Sequence, residues 1–272
     1  MHRFPSLKVS TLLKRMDRNG IEKAVLLPIE NPEEVDYYLT TESVLKICQR
    51  HPDRLIPFCN VDPRRGIPGE FDPLPIIKEY SDRGCKGFGE LLAGLPIDDQ
   101  RTKKLFQVCQ QLKLPVVLHF DSYINMDRPL LPAFESVVRE FPDVTFVAHA
   151  MSWWGEISRQ VQYDVLYPLK GAAGYPEGPV VSGGRVEYFL EKYDNVYADL
   201  SAYSAYNALT RDRDFGCRFL EKYSHKLLFA TDYLYPRQPL PIIKFIKEVP
   251  ISKSAFDRIT RKNAVRLLQL SD

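Results

Sequence analysis

The stretch "FVAHAMSWWGEI", residues 146–157, decides how the rest of the chain is read. It continues an apolar run, "VTFVA" from 144, that stops on His149, and both tryptophans of the chain, Trp153 and Trp154, stand just beyond. A short run that is apolar on both faces suits a parallel strand covered by helices. The C-terminal tip of such a strand is where parallel α/β folds gather their chemistry.

One unit upstream the pattern recurs, with "LPVVLHF" from 114 reaching His119. Further runs are "IEKAVLLP" from 21, "RLIPFCNV" from 54, "GCKGFGE" from 84, "NVYADLS" from 195 and "KLLFATD" from 226. With "VTFVAHA" from 144 included, successive starts lie 33, 30, 30, 30, 51 and 31 residues apart. Helical patterns fill the gaps. "DDQRTKKLFQVCQQLK" sets Leu105, Val108, Cys109 and Leu112 on one face, with Asp98 or Asp99 as N-cap, and "PAFESVVREF" and "VEYFLEKY" repeat the design. Strand and helix alternating at ~30 residues per unit is the βα repeat, and it predicts an α/β fold: a (β/α)8 TIM-type barrel forming one domain over residues 1–272. A doubly wound sheet would more often open on a glycine-rich turn. "GFGELLAG" is not G-x-G-x-x-G, and the chain has no P-loop.

The strand count is seven, not eight. Before Ile21 stands a helix, "STLLKRMDRNG", with Leu12, Leu13 and Met16 on one face and Gly20 as its stop. Strand 1 is therefore expected to be truncated or missing, with the chain beginning at its C-terminal tip or after it. The resulting gap is expected to be filled by residues ahead of Met1, by residues 1–9, or by a neighbouring subunit.

Composition narrows the function. A formal net charge of +2, from 37 basic and 35 acidic residues, leaves no footprint for nucleic acid or an anionic membrane. No apolar run approaches the ~18 residues of a membrane span, and the N-terminus lacks the apolar core of a signal peptide. Five cysteines without C-x-x-C spacing read as free thiols in a reducing cytoplasm. The expectation is a cytoplasmic protein with a small-molecule substrate, no nucleic-acid or membrane partner, and homo-oligomerisation left open.

At the strand tips stand Glu90, His119, His149, Asp199 with Ser201, and Asp232. Alternation sets Val117 with His119, Val147 with His149 and Ala230 with Asp232, so inward faces would bring the three polar residues together. Imidazoles beside a carboxylate suit a first-row cation such as zinc, which ionises a bound water, and a neighbouring carboxylate can take the proton. Glu90 is the weaker ligand candidate, because Lys86 shares its face and could pair with it. Asp199 and Ser201 read as caps of the next helix. Trp153 and Trp154 read as walls of a substrate pocket or as core. The long interval contains "YPLKGAAGYPEGPVVSGG", residues 167–184, which reads as a lid or specificity loop.

Together "GCKGFGE", "LPVVLHF", "FPDVTFVAHA", "NVYADLSA", "LLFATDYLYP" and "ITRKNAVRLL" resemble the amidohydrolase superfamily, in particular its amidohydrolase-2, decarboxylase-related branch. The resemblance runs over nearly the whole chain. It implies that His119 is a metal ligand, that Asp232 binds metal and shuttles protons, and that His149 is a second ligand or polarises the substrate carbonyl. The family's strand 1 carries an H-x-H pair, which this sequence lacks. "MHRF" would supply its end if Met1 were the middle residue and His2 the second ligand. The resemblance implies hydrolysis of an amide, ester or lactone, or non-oxidative decarboxylation on the same site with Arg237 as a candidate carboxylate anchor. The incomplete motif leaves a third reading, a barrel that binds a ligand or partner without chemistry.

Overall fold

Each of the seven apolar runs contains a strand. The computed structural model describes residues 7–67, 69–167 and 174–270. The strands are β1 (Ala24–Leu26), β2 (Leu55–Pro57), β3 (Phe88–Leu91), β4 (Val116–His119), β5 (Phe146–His149), β6 (Val196–Asp199) and β7 (Leu227–Leu228). All pairings between them are parallel. β3 to β7 form one sheet in chain order, and β1 pairs with β2. A parallel bridge between Cys59 and Phe88 carries the order on from β2 to β3. The result is a parallel α/β barrel, open between β1 and β7 among the described residues.

The helices form where their caps allow. Asp99 accepts the Arg101 N–H at the head of the helix Gln100–Leu112, and Thr40 accepts the Ser43 N–H at the head of Thr41–Arg50. Gly20, at φ 69°, stops the helix Val9–Asn19 in the left-handed conformation. Strand alternation then separates two cores. Val116, Leu118, Phe146, Ala148, Val196 and Ala198 face the helices in the large cluster. Val117, Val147 and Tyr197 face the barrel interior, where Ile56, Phe58 and Leu268 join them. His119 and His149 each stand two residues beyond an inward valine, so they inherit the interior face.

Two features depart from the expected strands. β3 bulges: Phe88 pairs with Val116 and Leu91 with Leu118, so Gly89 and Glu90 together oppose Val117. Gly89 is required there. Its φ is +117°, and a Cβ would sit 2.5 Å from the Val117 carbonyl oxygen. The final strand is also shorter than "KLLFATD" predicts. It ends at Leu228, because the Phe229 N–H turns away from the sheet to the Ile259 carbonyl at 2.8 Å.

All five cysteines are free thiols, four of them buried. Among the described residues no helix is long and apolar enough to cross a membrane.

Candidate active site

Glu90 is the hub. Its Oε1 lies 3.0 Å from His119 Nδ1 and 2.8 Å from His149 Nε2. The far nitrogen of each ring meets another carboxylate: His119 Nε2 is 3.2 Å from Asp121 Oδ2, and His149 Nδ1 is 3.0 Å from Asp199 Oδ2. The rings stand edge to face, 5.3 Å apart. The β4–β5 register, His119 opposite His149, sets that spacing. The bulge turns Glu90 towards both rings, and Asn60 Nδ2 donates to its carbonyl at 2.7 Å. Lys86 is exposed and takes no part, so the expected Lys–Glu pairing is absent.

Asp232 reaches the same place from an irregular segment. It has φ +50°, rare for a residue with a side chain, and the Gln238 amide donates to its carbonyl at 2.7 Å. Asp232, Glu90, His149 and Asp199 all line one cavity of about 760 Å³.

The electrostatics follow from this crowding. Burial opposes charge on Glu90, but the positive charge of His149 and hydrogen bonds from both rings hold its carboxyl well below the usual range. Burial likewise opposes the proton on His119, yet hydrogen bonds to Asp121 and Glu90 push it up to about 9. His149 is raised well above its ordinary value against burial, by the charges of Asp199 and Glu90. Asp232 moves the other way for a carboxyl: burial, reinforced by the negative charge of Glu90, lifts it to about 7.

This donor set suits a divalent cation. A Glu90 oxygen and one nitrogen of each ring lie within 4.8 Å of one another. Asp121 and Asp199 occupy the outer nitrogens, as carboxylates do when they orient a ligating histidine. Two imidazoles and one carboxylate leave a fourth position of a tetrahedral site open.

Arg237 and Asp199 come out differently from the sequence reading, and of the two readings of Trp153 and Trp154 one falls away. Trp153 and Trp154 are not walls of the cavity: both are buried in the outer core, Trp153 against Phe134 and Phe189 and Trp154 against Phe219. They face the helices because they follow the strand on the short helix Met151–Gly155, which packs behind the sheet. Trp154 still serves the site at one remove, since its Nε1–H donates to the Asp199 carbonyl at 3.1 Å. Arg237 is exposed, in the turn after Asp232 at φ +68°, and does not line the cavity. Asp199 does more than cap: one carboxylate oxygen takes the Ser201 N–H at 2.9 Å while the other takes His149. Asp121 was missed altogether, although it stands two residues past His119 in "HFD". His2 lies outside the described residues, as does 168–173 of the expected lid. Past that gap Tyr175 lies edge-on to Tyr203 at 4.7 Å.

An amidohydrolase family model matches residues 12–155, just over half of the chain. The chain belongs to the amidohydrolase family. Among solved structures, this amidohydrolase is similar in fold to an uncharacterized TIM-barrel protein of Bordetella bronchiseptica (TM-score 0.70, 17% identity, 97% of this chain and 83% of that one). It is also similar to a probable 2-pyrone-4,6-dicarboxylic acid hydrolase of Acinetobacter baumannii, solved with citric acid bound (TM-score 0.62, 15% identity, 96% and 89%). A third is 5-carboxyvanillate decarboxylase of Novosphingobium aromaticivorans, solved with bound manganese (TM-score 0.58, 17% identity, 95% and 80%). No protein of curated function matches the chain in sequence.

Proposed function

We propose that this amidohydrolase is a divalent-metal-dependent hydrolase that cleaves an amide, ester or lactone bond of a small molecule. The observation that carries the reading is the pairing of Glu90, between two imidazoles, with Asp232, lifted to about 7 on the same cavity. Glu90, His119 and His149 would hold the cation, and zinc is the first candidate for this set of nitrogen and carboxylate donors. A cation held there supplies Lewis-acid polarisation of the scissile carbonyl and makes a water nucleophilic near neutral pH. Asp232, titrating near the operating pH, takes the proton from the attacking water at its carboxylate and returns it to the leaving group. Asp121 and Asp199 keep each imidazole turned so that one nitrogen faces Glu90.

Non-oxidative decarboxylation is the second reading. The same raised carboxyl of Asp232 supports it, because a proton held near neutral pH can be delivered to carbon as carbon dioxide leaves. The fold shared with a decarboxylase and with a hydrolase is compatible with either reading.

Two measurements separate the readings. Metal analysis of the purified protein, before chelation and after reloading, is expected to give one divalent cation per chain held by Glu90, His119 and His149. A chain that binds none would remove both enzymatic readings in favour of a barrel that only binds a ligand. With metal established, lactones, esters and amides are followed by acid release, and aromatic or unsaturated carboxylic acids by labelled carbon dioxide. Carbon dioxide release without turnover of any lactone, ester or amide overturns the hydrolytic reading.

A further inference from the structure

Three asparagines surround the tip of β3, the strand that carries Glu90. Asn31 follows β1, Asn60 follows β2 and Asn125 follows β4, and each is fully buried. Asn60 Nδ2 donates to the Glu90 carbonyl at 2.7 Å and to Asn31 Oδ1 at 3.0 Å. Asn31 Oδ1 also accepts the Leu92 N–H at 2.9 Å. Asn125 Nδ2 donates to the Leu91 carbonyl at 2.7 Å and to the His119 carbonyl at 2.8 Å. The backbone N–H of Asn125 reaches the Ala93 carbonyl at 2.9 Å. Residues 90–93 are thus each held by one of the three asparagines.

The bulge explains the clamp. Gly89 and Glu90 together oppose Val117, so the β3–β4 ladder loses its regular register where Glu90 stands. An asparagine amide nitrogen carries two hydrogens, and Asn125 gives one to each strand. It joins the residue after Glu90 to His119 itself, across two tips whose side chains meet at 3.0 Å. The turn that presents Asn125 is built on the same histidine. Asp121 Oδ2 lies 3.2 Å from His119 Nε2, while its Oδ1 takes the Tyr123 and Ile124 N–H groups at 2.8 and 2.7 Å. Asn60 Oδ1 and Asn125 Oδ1 are buried and have no hydrogen-bond partner among the described residues. An orphaned buried acceptor is costly, so both amides stand there for their N–H groups.

We propose that Asn125 and Asn60 are positioning residues of the metal site. Asn125 sets the separation of Glu90 and His119 by joining their strand tips, and Asn60 sets the direction in which the bulge presents Glu90. Neither lines the cavity, so each acts through the residue it holds. The assignment rests on reading Glu90, His119 and His149 as the metal-holding set, and it is the same for hydrolysis and for decarboxylation.

Cobalt(II) binding to the full chain tests it, read as Kd against a competing chelator and as the visible ligand-field spectrum at saturation. Asn125→Asp and Asn60→Asp keep the shape and remove the donors. Asn125→Gly suits the left-handed backbone there, at φ +45°, and carries the test should the aspartate variants not fold. Each variant is expected to weaken cobalt binding ~10–100-fold and to shift the spectrum at saturation. The negative charge of an added aspartate would by itself tighten cation binding, so weakening isolates the lost donors. Trp153→Ala, destabilised in the outer core, is expected to keep the Kd and spectrum of the unsubstituted chain. Unaltered Kd and spectrum in the folded asparagine variants would overturn the proposal. So would an equal loss in Trp153→Ala, which traces the effect to stability alone. A loss confined to one asparagine overturns the assignment of the other. An unsubstituted chain that takes up no cobalt overturns the metal reading and this assignment with it, whereas binding by that chain and equally by the variants overturns the assignment only.

Discussion

β3 to β7 and β1–β2 have the same kind of sequence and different fates. In the first group each inner strand has a neighbour on both sides, and Phe88, Val116, Leu118, Phe146, Ala148, Val196 and Ala198 are fully buried. In the second, β1 is three residues long with one partner, and its middle residue is half-open to solvent. Glu90, His119, His149 and Asp199 all belong to the closed group. Metal ligands need positions fixed to a fraction of an ångström, which a strand bonded on both edges provides. The open group supplies shape, and Asp232, just past β7, stands at the border between the two.

That border is where the largest effect is expected. Asp232→Asn keeps the shape and removes the proton acceptor, so kcat on a turned-over substrate should fall ~10²–10⁴-fold. The circular dichroism spectrum and metal content should stay the same. An unchanged kcat would eliminate Asp232 as the proton carrier and confine the chemistry to the closed group.

The next effect belongs to the closed group alone. Trp153 is fully buried between Phe134 and Phe189, and no hydrogen-bond partner is present for its Nε1. Trp153→Ala should cost about 3–5 kcal/mol of stability in urea denaturation. KM should stay the same in any variant that remains folded. A raised KM at unchanged stability would restore the tryptophan as a wall of the substrate pocket.

Periodicity made the strand tips legible. An apolar run with a histidine at i and a valine at i−2 is sufficient to place His119 and His149 on one face, and equal spacing is sufficient to place them side by side. It could not reveal the β3 bulge, because a bulge shifts Glu90 relative to Phe88 without altering the residue pattern; only Gly89 hints at it. It left the tryptophans open between core and pocket wall, because past a strand tip the two-residue alternation stops and a short helix decides which way they point. It also carried β7 as far as Asp232, since "FAT" looks like strand until Ile259 captures the Phe229 N–H. Asp121 and Asp199 were readable as residues but not as partners, for a carboxylate two residues past a strand histidine serves equally well as a loop cap.

Those two carboxylates carry the third expectation. Asp199→Asn replaces an acceptor of the His149 Nδ1–H by an amide that can present the wrong group, and metal affinity should fall ~10–100-fold. Isothermal titration of the metal into the chelated protein measures it. Asp121→Asn should do less, because the His119 contact is longer, at 3.2 Å, and that ring is 24% exposed. Equal losses would show that the two histidines are held alike, in spite of their unequal burial.

The smallest effect is on pH dependence, and its sign can be worked out. In the metal-free protein the folded state holds His119 protonated up to about 9, against ~6.5 for the unfolded chain. A raised histidine contributes stability that is complete below the unfolded value and is lost as pH climbs through the folded one. Asp232, lifted to about 7, adds in the same direction: the folded state keeps its proton above ~3.9, where the unfolded chain has released it. These two groups therefore bind more protons in the folded chain than in the unfolded chain between about pH 4 and 9. Carboxyls held low, Glu90 and Glu135 among them, act the other way at the acid end, so stability should fall as pH rises above about 5. For the upper part, from about 6.5 to 9, a loss of ~1.4 kcal/mol is expected, one pKa unit's worth after discounting the partial exposure of His119. Metal competes for the same nitrogens, so its affinity should rise over the window in which the metal-free protein weakens, and the loaded protein should show a flatter Tm against pH. A metal-free Tm that holds constant or rises from pH 6.5 to 9 would mean that the imidazoles are neutral in the folded chain. The carboxylates around them would then be holding them in place without charging them.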